Sequence, residues 1–372
     1  MKQKINIPYV NLAAQYSSEK NELLKEIDFV LSSGQYVGGK IIQNLENKIS
    51  KFVGVSDVVC LNSGTDALIL SLKALGINPG DEIITQANSF ISSTSVIKLI
   101  GAIPVFADVT KDQLIDPNHI KTLITEKTKA IIPVHLTGRI AEMDEINKIA
   151  KKNNLYVIED AAQSFGSVYK NKKSGSLADV AAFSAHPLKN FNACGDAGFI
   201  TTNNKSLAKK IRLLSNHGLI NRNKSTMWGT VSRLDTLQAA ILLSRFKRFK
   251  KLIDSRKRNA KLYSKLLNKK YMYFAEGRKD CIDTYHTFVI HVKKRDKLMN
   301  YLSKNGINTA IHYPIPIHLQ PVGQELGYKK GSLPNTERQA KEILTLPVNQ
   351  TLQKNSIEII SKFVNDFFEK NH

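Results

Sequence analysis

Residues 57–75 read DVVCLNSGTDALILSLKAL, in which an apolar run is followed by a polar turn and a helical pattern. The run Asp57–Leu61 predicts a buried strand, and Thr65–Leu75 predicts a helix that begins directly after the turn. Gly64 in the turn would let a ligand approach the backbone closely, and the first amides of the helix would bind an anion such as a phosphate. An ordinary Ser/Thr helix cap with a turn glycine accounts for the same residues, so this segment alone leaves both interpretations open.

The alternation of strand and helix continues beyond this segment to about residue 202. Most of the further strand candidates are continuous apolar runs, which are typical of strands that are covered on both faces. They are Glu82–Thr85, Ile103–Ala107, Ala130–His135, Leu155–Glu159, Val180–Ser184 and Gly198–Thr202, with helical segments such as Asp144–Asn153 between several of them. The pattern predicts an α/β fold: a three-layer α/β/α domain around a mostly parallel seven-stranded sheet.

Longer helices replace this alternation in the last part of the chain. The elements predicted there are a long helix over Leu237–Leu267, a strand over His286–Lys293, and helices over Arg295–Asn305 and Asn355–Lys370. We therefore expect a large domain over residues 1–250 and a small C-terminal α+β domain over residues 251–372, with the boundary inside or at the end of the long helix.

The composition is that of a globular chain, since 42% of the 372 residues are hydrophobic and 23% are charged. It excludes a disordered or fibrous protein. The longest apolar runs fall far short of the roughly 20 residues that span a bilayer, and the N-terminus has no signal-peptide pattern, so we expect no membrane partner. The three scattered cysteines, Cys60, Cys194 and Cys281, argue against a disulfide framework and a zinc site. They predict a cytoplasmic protein without a metal centre.

The formal net charge of +22 is unusual and raises a nucleic-acid-binding hypothesis. Of the 54 basic residues, 43 are lysine and 11 are arginine, whereas direct base recognition relies on arginine forks and aromatic platforms. The densest basic stretch, Arg245 to Lys270, has the pattern of a solvated helix face. We therefore predict no nucleic-acid partner; an anionic substrate or a membrane surface would also suit the charge.

Two further segments place chemically useful residues at strand ends. The strand Leu155–Glu159 is followed by Asp160, whose carboxylate would either meet a cation, such as the protonated ring nitrogen of a cofactor, or cap a helix. The strand Val180–Ser184 is followed by Lys189, which would either serve as a Schiff-base nucleophile in a pocket or lie on the surface. His186 is better explained by packing or hydrogen bonding than by catalysis. A phosphate seat, a carboxylate and a lysine at three strand ends are together the parts of a pyridoxal phosphate site.

Further motifs extend this pattern along the chain. They are Gly34–Gly39, Pro79–Glu82, Pro133–Leu136, Ile158–Gln163, Arg233–Ala240 and His312–His318. With these motifs the sequence resembles the DegT-type sugar aminotransferases, pyridoxal phosphate enzymes of the aspartate aminotransferase fold (type I), over nearly its whole length. The resemblance implies pyridoxal 5'-phosphate as the cofactor, its pyridoxamine form (PMP) as an intermediate, and a homodimer with the active site at the subunit interface.

The resemblance also implies a role for each matching residue. Lys189 would bond to the cofactor and move the proton between cofactor and substrate carbons, and Asp160 would keep the pyridine nitrogen protonated. The other implied cofactor contacts are the ring hydroxyl for Gln163, ring stacking for Phe90, and the phosphate for Gly64, Thr65 and Ser184. Tyr313 and His318 would lie on the substrate side, although proline-rich loops such as theirs also serve simply to shape a turn.

One segment departs from the family pattern. Family members carry Gly-x-Asn-x-Arg before the Leu-Gln-Ala-Ala helix, and that Asn reaches the cofactor phosphate of a neighbouring subunit. In the corresponding segment Gly229–Arg233, Val231 stands in the Asn position and has no side-chain donor. Either Ser232 or another group compensates, or the phosphate is held less tightly.

The expected function is a transaminase that moves an amino group from L-glutamate to a keto sugar linked to a nucleoside diphosphate. The expected setting is the biosynthesis of a surface polysaccharide or of a secondary-metabolite sugar. Related dehydratases have His in place of the Schiff-base lysine, so Lys189 favours transamination. The alternatives are a cyclitol aminotransferase, a PMP-linked sugar dehydratase, and a basic nucleic-acid-binding or regulatory protein that retains the fold. The sequence does not determine which keto sugar is used or which carbon is aminated.

Overall fold

A seven-stranded sheet forms the centre of the computed structural model, which describes residues 5–370. The strands of the described residues, seven of which form this sheet, are β1 (Asp57–Leu61), β2 (Glu82–Gln86), β3 (Ile103–Ala107), β4 (Thr128–Ile132), β5 (Tyr156–Asp160), β6 (Val168–Tyr169), β7 (Lys172–Lys173), β8 (Val180–Ser184), β9 (Gly198–Thr202), β10 (Leu219–Asn221), β11 (Lys224–Ser225), β12 (Cys281–Ile282), β13 (Phe288–His291) and β14 (Ile343–Leu346). The central sheet has the order β1-β9-β8-β5-β4-β2-β3. Within it β9 runs antiparallel to both of its neighbours, and every other pairing is parallel. The predicted mostly parallel sheet is confirmed.

Helices pack against both faces of this sheet, and further helices belong to the C-terminal part of the chain. They are α1 (Leu12–Ser33), α2 (Lys40–Val53), α3 (Gly64–Leu75), α4 (Ser92–Leu99), α5 (Pro117–Leu123), α6 (Met143–Lys152), α7 (Lys205–Leu214), α8 (Thr236–Phe246), α9 (Phe249–Leu266), α10 (Arg295–Lys304), α11 (Pro321–Gln324), α12 (Pro334–Glu342) and α13 (Lys354–Glu369). Because side chains alternate along a strand, Ala182 of β8 packs under α3, α4 and α7, whereas Phe183 packs in the core that includes α2 and α8. The predicted three-layer α/β/α arrangement is therefore confirmed.

The long helix predicted over Leu237–Leu267 is instead two helices, α8 and α9, separated at Lys247 and Arg248. α8 and the start of α9 pack in one core, which contains Phe249 and Ile253, whereas the later turns of α9 pack in another. Ala239 of α8 lies in the core beside the central sheet, whereas Ala260 of α9 lies in a second core built from C-terminal residues. A continuous apolar and basic pattern does not reveal this change of direction, because both helices have the same helical period.

The second core holds the C-terminal part of the chain together. It combines α9, α10 and α13 with the antiparallel pair β13–β14, and its members include Tyr263, Leu298 and Ile360. Ile7, near the N-terminus, also packs into this core and pairs with Ile307. The small unit proposed for residues 251–372 thus takes in a short N-terminal segment as well.

Two structural findings apply to residues 5–370 only. No helix in that range combines the length and the apolar character needed to cross a bilayer. Nor do three or more His, Cys, Asp or Glu side chains gather there as the ligands of a metal ion would.

Candidate active site

A cavity of about 600 Å³ lies at the carboxyl ends of β5 and β8, where ligands commonly bind in open α/β sheets. Its wall is formed by the first turn of α3, the loop after β8, the N-terminal segment and loops of the C-terminal unit. All but one of the residues singled out from the sequence line it, namely Gly64, Thr65, Phe90, Asp160, Gln163, Ser184, Lys189 and Tyr313. The tertiary structure therefore brings together residues that are up to 249 positions apart in sequence.

Lys189 lies in a loop that hydrogen bonds hold in one shape. The loop closes where the Ala193 amide donates to the Ala185 carbonyl oxygen at 2.7 Å. Across it, Asn192 Nδ2 donates to the Pro187 carbonyl oxygen at 2.6 Å. These bonds fix the backbone on both sides of Lys189, so the position of this lysine in the loop is set before any ligand binds.

A buried ion pair supports this loop from the opposite side. Arg245 of α8 donates to the carbonyl oxygens of Asn192 at 2.8 Å and Ala193 at 3.0 Å. Its Nε also donates to Glu19 of α1 at 2.9 Å. Sequence analysis did not find this support, because Glu19 and Arg245 are 226 positions apart and neither belongs to a local motif.

The protonation of Lys189 is shifted by its surroundings. Burial lowers the pKa of the Lys189 ammonium, and the nearby carboxylate of Asp160 partly opposes that shift. A lowered pKa increases the fraction of neutral amine near neutral pH, which is the nucleophilic form. Lys189 is thus a partly buried lysine of the cavity wall with a lowered pKa, and not one of the many surface lysines.

Asp160 ends β5 with its carboxylate facing the cavity. Its Oδ2 accepts a 2.6 Å hydrogen bond from the Ser93 hydroxyl, and its Oδ1 accepts one of 3.2 Å from the Ala162 amide. The preceding residue, Glu159, points to the other face of the sheet, where it lies 3.0 Å from His135 Nε2. Of the two adjacent carboxylates, only Asp160 is therefore available to a ligand in the cavity.

The first turn of α3 forms another part of the cavity wall. A Cβ atom at Gly64 would lie 2.7 Å from Ser184 Cβ, so only glycine permits this close approach. The Ser63 hydroxyl accepts a 3.1 Å hydrogen bond from the Asp66 amide and caps the helix. The amides of Gly64 and Thr65 precede the intrahelical hydrogen bonds and lie beside the cavity. The helix-cap and anion-site interpretations are thus compatible, because different atoms serve each.

Two aromatic side chains border the cavity. The ring of Phe90 is 54% exposed and lies 6.1 Å from the ring of Tyr313, centroid to centroid. Burial, together with the charge of Asp160, raises the pKa of Tyr313 to about 12. The Tyr313 hydroxyl therefore remains a neutral donor at ordinary pH. Beside these rings, Gln163 also lines the cavity, and its Oε1 accepts a 2.8 Å hydrogen bond from the Thr137 amide.

The prediction that His318 lies on the substrate side is corrected by the structure. His318 is fully buried and does not line the cavity; its Nε2 lies 3.1 Å from Glu337 Oε1. The short 3-10 turn Ile317–Leu319 directs this imidazole toward a small core that contains Phe106 and Leu333. Sequence alone could not show which residue of the proline-rich loop turns inward.

The sequence analysis missed several residues of the cavity wall. They are Tyr9 from the N-terminal segment, Arg256 from α9, and His286 and His312 from loops of the C-terminal unit. Arg256 falls within the basic stretch that was assigned to a solvated helix face. Its near-complete burial, at 6% exposure, shows that this assignment fails at that position. The sequence did contain a signal for this burial, because the helical spacing of Arg256 from the apolar residues of α9 places them on the same face of the helix.

Comparisons with known proteins agree with this geometry. The DegT/DnrJ/EryC1/StrS aminotransferase family matches residues 17–365. A pleiotropic regulatory protein of Geobacillus stearothermophilus is 38% identical over 98% of this chain and 99% of its own. The UDP-2-acetamido-2-deoxy-3-oxo-D-glucuronate aminotransferase of Pseudomonas aeruginosa is 38% identical over 95% of this chain and 98% of its own.

A solved structure, NtdA of Bacillus subtilis with the cofactor PMP bound, superposes with a TM-score of 0.93 at 33% identity, covering 99% of this chain and 86% of NtdA. Sequence and fold therefore agree over nearly the whole length. The chain belongs to the DegT/DnrJ/EryC1/StrS family of pyridoxal-phosphate-dependent aminotransferases.

Proposed function

We propose that this aminotransferase moves an amino group from L-glutamate to a keto sugar linked to a nucleoside diphosphate. The observation that carries the proposal is the presence of Lys189 and Asp160 in one cavity, with a phosphate seat at the first turn of α3. A sugar substrate is supported by the name of the Pseudomonas aeruginosa relative, which acts on a UDP-linked oxo sugar. The cavity volume of about 600 Å³ is within the usual range for small-molecule sites.

The residues of the cavity fit pyridoxal phosphate. The cofactor needs an anion site, a carboxylate for its ring nitrogen and a lysine with access to neutral amine, and each is present. A side chain at Gly64 would collide with Ser184, so glycine is required where the first turn of α3 meets the strand that ends at Ser184. When bound, pyridoxal phosphate supplies a conjugated ring that withdraws electrons from the substrate carbon that loses its proton.

The protein's part in the reaction follows from these positions. Lys189 Nζ would take the proton from one carbon and return it to another. Its lowered pKa increases the fraction of neutral amine, which is the form that can accept a proton, near neutral pH. Asp160 would hold the ring nitrogen of the cofactor, and the Ser93 hydroxyl orients its carboxylate by a hydrogen bond of 2.6 Å. Gly64, Thr65 and Ser184 hold the phosphate.

An absorption spectrum tests this function. Protein purified with pyridoxal phosphate is expected to show the visible band of the lysine-linked cofactor, and L-glutamate is expected to convert it to the PMP spectrum. UDP- and dTDP-linked keto sugars should then reverse the change. Reversal by a cyclitol ketone instead would identify a cyclitol aminotransferase. Dehydration of the sugar without amine transfer would identify a dehydratase, and absence of any cofactor band would contradict the proposal.

We further propose that the active form is a homodimer. Apolar side chains are exposed on the segment between α7 and α8: Trp228 is 99% exposed, and Ile220 and Val231 are about half exposed. The cavity is also open beside Phe90 and Leu188, both of which are more than half exposed. Both sets of exposed apolar groups favour a covering partner, and a second copy of this chain would complete the cavity beside Phe90 and Leu188.

Replacement of Trp228 tests the dimer. Trp228→Asp places a charge in the expected interface and should raise the dimer dissociation constant by roughly 30-fold or more, since buried interface tryptophans commonly contribute about 2 kcal/mol or more. Analytical ultracentrifugation over a concentration series measures that constant. Leu99→Asp is the matched control, because Leu99 is also exposed, at 70%, but lies at the end of α4. A monomeric wild type, or a dimer unaffected by Trp228→Asp, would contradict the proposal.

A regulatory role is the second candidate, and the name of the Geobacillus stearothermophilus relative favours it. The net charge of +22 would assist binding to an anionic partner. Salt-sensitive binding of random DNA, together with a spectrum that does not respond to L-glutamate, would support this role over catalysis. A catalytic site with Lys189 and Asp160 both in place makes transamination the better-supported function.

We place the reaction in the cytoplasm, in the biosynthesis of a surface polysaccharide or of a secondary-metabolite sugar. The location is supported by the cysteines, since Cys60, Cys194 and Cys281 are all free thiols.

A further inference from the structure

Arg256 is a buried cation in the cavity wall with no acidic partner among the described residues. Its Nη1 donates to the carbonyl oxygens of Tyr285 and His286, each at 3.1 Å, and its Nε and Nη2 donate to Gln350 Oε1 at 3.2 and 3.0 Å. All of these acceptors are neutral. A buried charge without a counter-charge is costly, so the arrangement is typical of a site whose anion arrives with a ligand.

Burial also makes the charged form of the Arg256 guanidinium less stable than it would be in water. Burial lowers the pKa of its guanidinium to about 10, and the ionisable group that opposes this shift is the hydroxyl of Tyr9. Burial also raises the pKa of Tyr9 far above neutral pH, so Tyr9 supplies no negative charge there. The guanidinium remains charged at neutral pH and uncompensated by the residues around it.

His286 provides a second unused polar group beside Arg256. Its Nδ1 is buried and has no hydrogen-bond partner among the described residues, although the side chain lines the cavity. Burial and the charges of Lys189 and Arg256 lower the pKa of His286 well below its usual range. The imidazole is therefore neutral, and its Nδ1 can carry the proton and donate it to an oxygen acceptor.

We propose that Arg256 and His286 form the subsite for a carboxylate of the amino donor. The proposal rests on the proposed function, which supplies a dicarboxylic amino acid as donor. A carboxylate would accept from the one N–H of Arg256 Nη2 that the four bonds above leave free, and from the unpaired imidazole nitrogen of His286. The phosphate of the cofactor has its own seat at Gly64 and Thr65, on the α3 side of the cavity.

The diphosphate of a nucleotide sugar is the other anion that could reach this cavity. We favour a carboxylate because only two donors lack an acceptor, one N–H on Arg256 Nη2 and His286 Nδ1, and because the single positive charge of Arg256 balances a single negative charge. A diphosphate carries more charge and would need further cations. The described lining of the cavity adds only Lys189, which the cofactor chemistry already uses.

Calorimetric titration of the holoenzyme with glutarate, a dicarboxylate that has no amine to transfer, tests the subsite. Arg256→Gln is expected to weaken glutarate binding roughly 10- to 100-fold, because it removes a charge-assisted pair. His286→Phe, which keeps the ring shape without the nitrogens, should weaken it roughly 3- to 10-fold. Binding of UDP, titrated in parallel, should be unchanged in both variants.

Arg258→Gln is the matched control. Arg258 lies on the same helix and carries the same charge, but it is exposed and absent from the cavity wall. Its glutarate affinity should equal that of the wild type. If a general reduction of positive charge lowered the affinity, Arg258→Gln would show the same loss as Arg256→Gln, and the proposed subsite would be wrong.

Other outcomes also decide the matter. Unchanged glutarate affinity in Arg256→Gln, or a loss of UDP affinity in place of glutarate affinity, overturns the assignment to a donor carboxylate. If Arg256→Gln does not fold, since it also loses its bonds to two carbonyls, an unchanged affinity in His286→Phe overturns it. A wild type that binds glutarate through Arg256 but shows no spectral response to L-glutamate would refute the proposed function while leaving the anion subsite in place.

Discussion

Lys189→Ala is expected to lower the rate of amino transfer from L-glutamate by roughly 10³-fold or more, because in the proposed reaction this one side chain would both bond to the cofactor and move the proton. Alanine retains neither capacity. The clamped loop, in which Asn192 and Arg245 hold the backbone, should keep its shape without the lysine side chain. The measurement is a single-turnover spectrum with L-glutamate, compared with the thermal unfolding midpoint of the same preparation.

The control for this variant is Lys205→Ala. Lys205 is an exposed lysine at the start of α7, and its loss should leave both the rate and the spectrum unchanged. A second check uses the cofactor itself: the Lys189→Ala protein should still bind pyridoxal phosphate through the phosphate seat and Asp160, but without the band of the lysine-linked form. Retention of a near-normal transfer rate in Lys189→Ala would place the catalytic group elsewhere.

Asp160→Asn is expected to reduce the transfer rate by roughly 10²- to 10³-fold, since a preorganised charge at a reacting centre commonly contributes this much. Asparagine has nearly the same shape but cannot hold a negative charge opposite a protonated ring nitrogen. The rate of the L-glutamate half-reaction and the affinity for pyridoxal phosphate should both fall. Ser93→Ala, which removes the 2.6 Å hydrogen bond to the carboxylate, should have a smaller effect of roughly 3- to 10-fold.

Asp179→Asn is the control for the carboxylate. Asp179 immediately precedes β8, at the end of the sheet remote from the cavity, and accepts a 2.8 Å hydrogen bond from the Val157 amide. Its replacement should leave the transfer rate within a factor of about two, as expected for a partly exposed structural hydrogen bond. Equal losses in Asp160→Asn and Asp179→Asn would show that fold stability and not ring electrostatics is being measured.

The strands of the central sheet could be predicted from the sequence because each is a short run whose burial on both faces demands apolar side chains. The predicted bounds of four strands, Asp57–Leu61, Ile103–Ala107, Val180–Ser184 and Gly198–Thr202, agree with the structure. The other three strands differ at their ends by one to three residues, where polar side chains or a proline interrupt the pattern.

The principal residues of the candidate site could also be predicted, and for a geometric reason. Parallel strands place their carboxyl ends at the same edge of a sheet, so residues that follow separate strands converge there. Asp160 directly ends one strand, and Lys189 follows another by five residues. Local spacing was sufficient for these two, because the strand that carries each residue also positions it.

His318 and Arg256 mark the limit of this reasoning. His318 was expected beside the substrate and is buried against Glu337. Arg256 was expected on a solvated helix face and lines the cavity. Both lie on elements whose orientation is set by packing against distant parts of the chain. A local pattern identifies a loop or a helix, but it does not report which side of that element the rest of the protein will cover.

By itself, therefore, the sequence determined the sheet, the helices on both faces of it, and the placement of Gly64, Asp160 and Lys189 at its edge. Each of these depends on residues near one another in the chain. The tertiary structure alone decided the break between α8 and α9, the support of the lysine loop by Glu19 and Arg245, and the entry of Arg256 and His286 into the cavity. These features depend on contacts between residues far apart in sequence, and such contacts form only when the separate cores pack together.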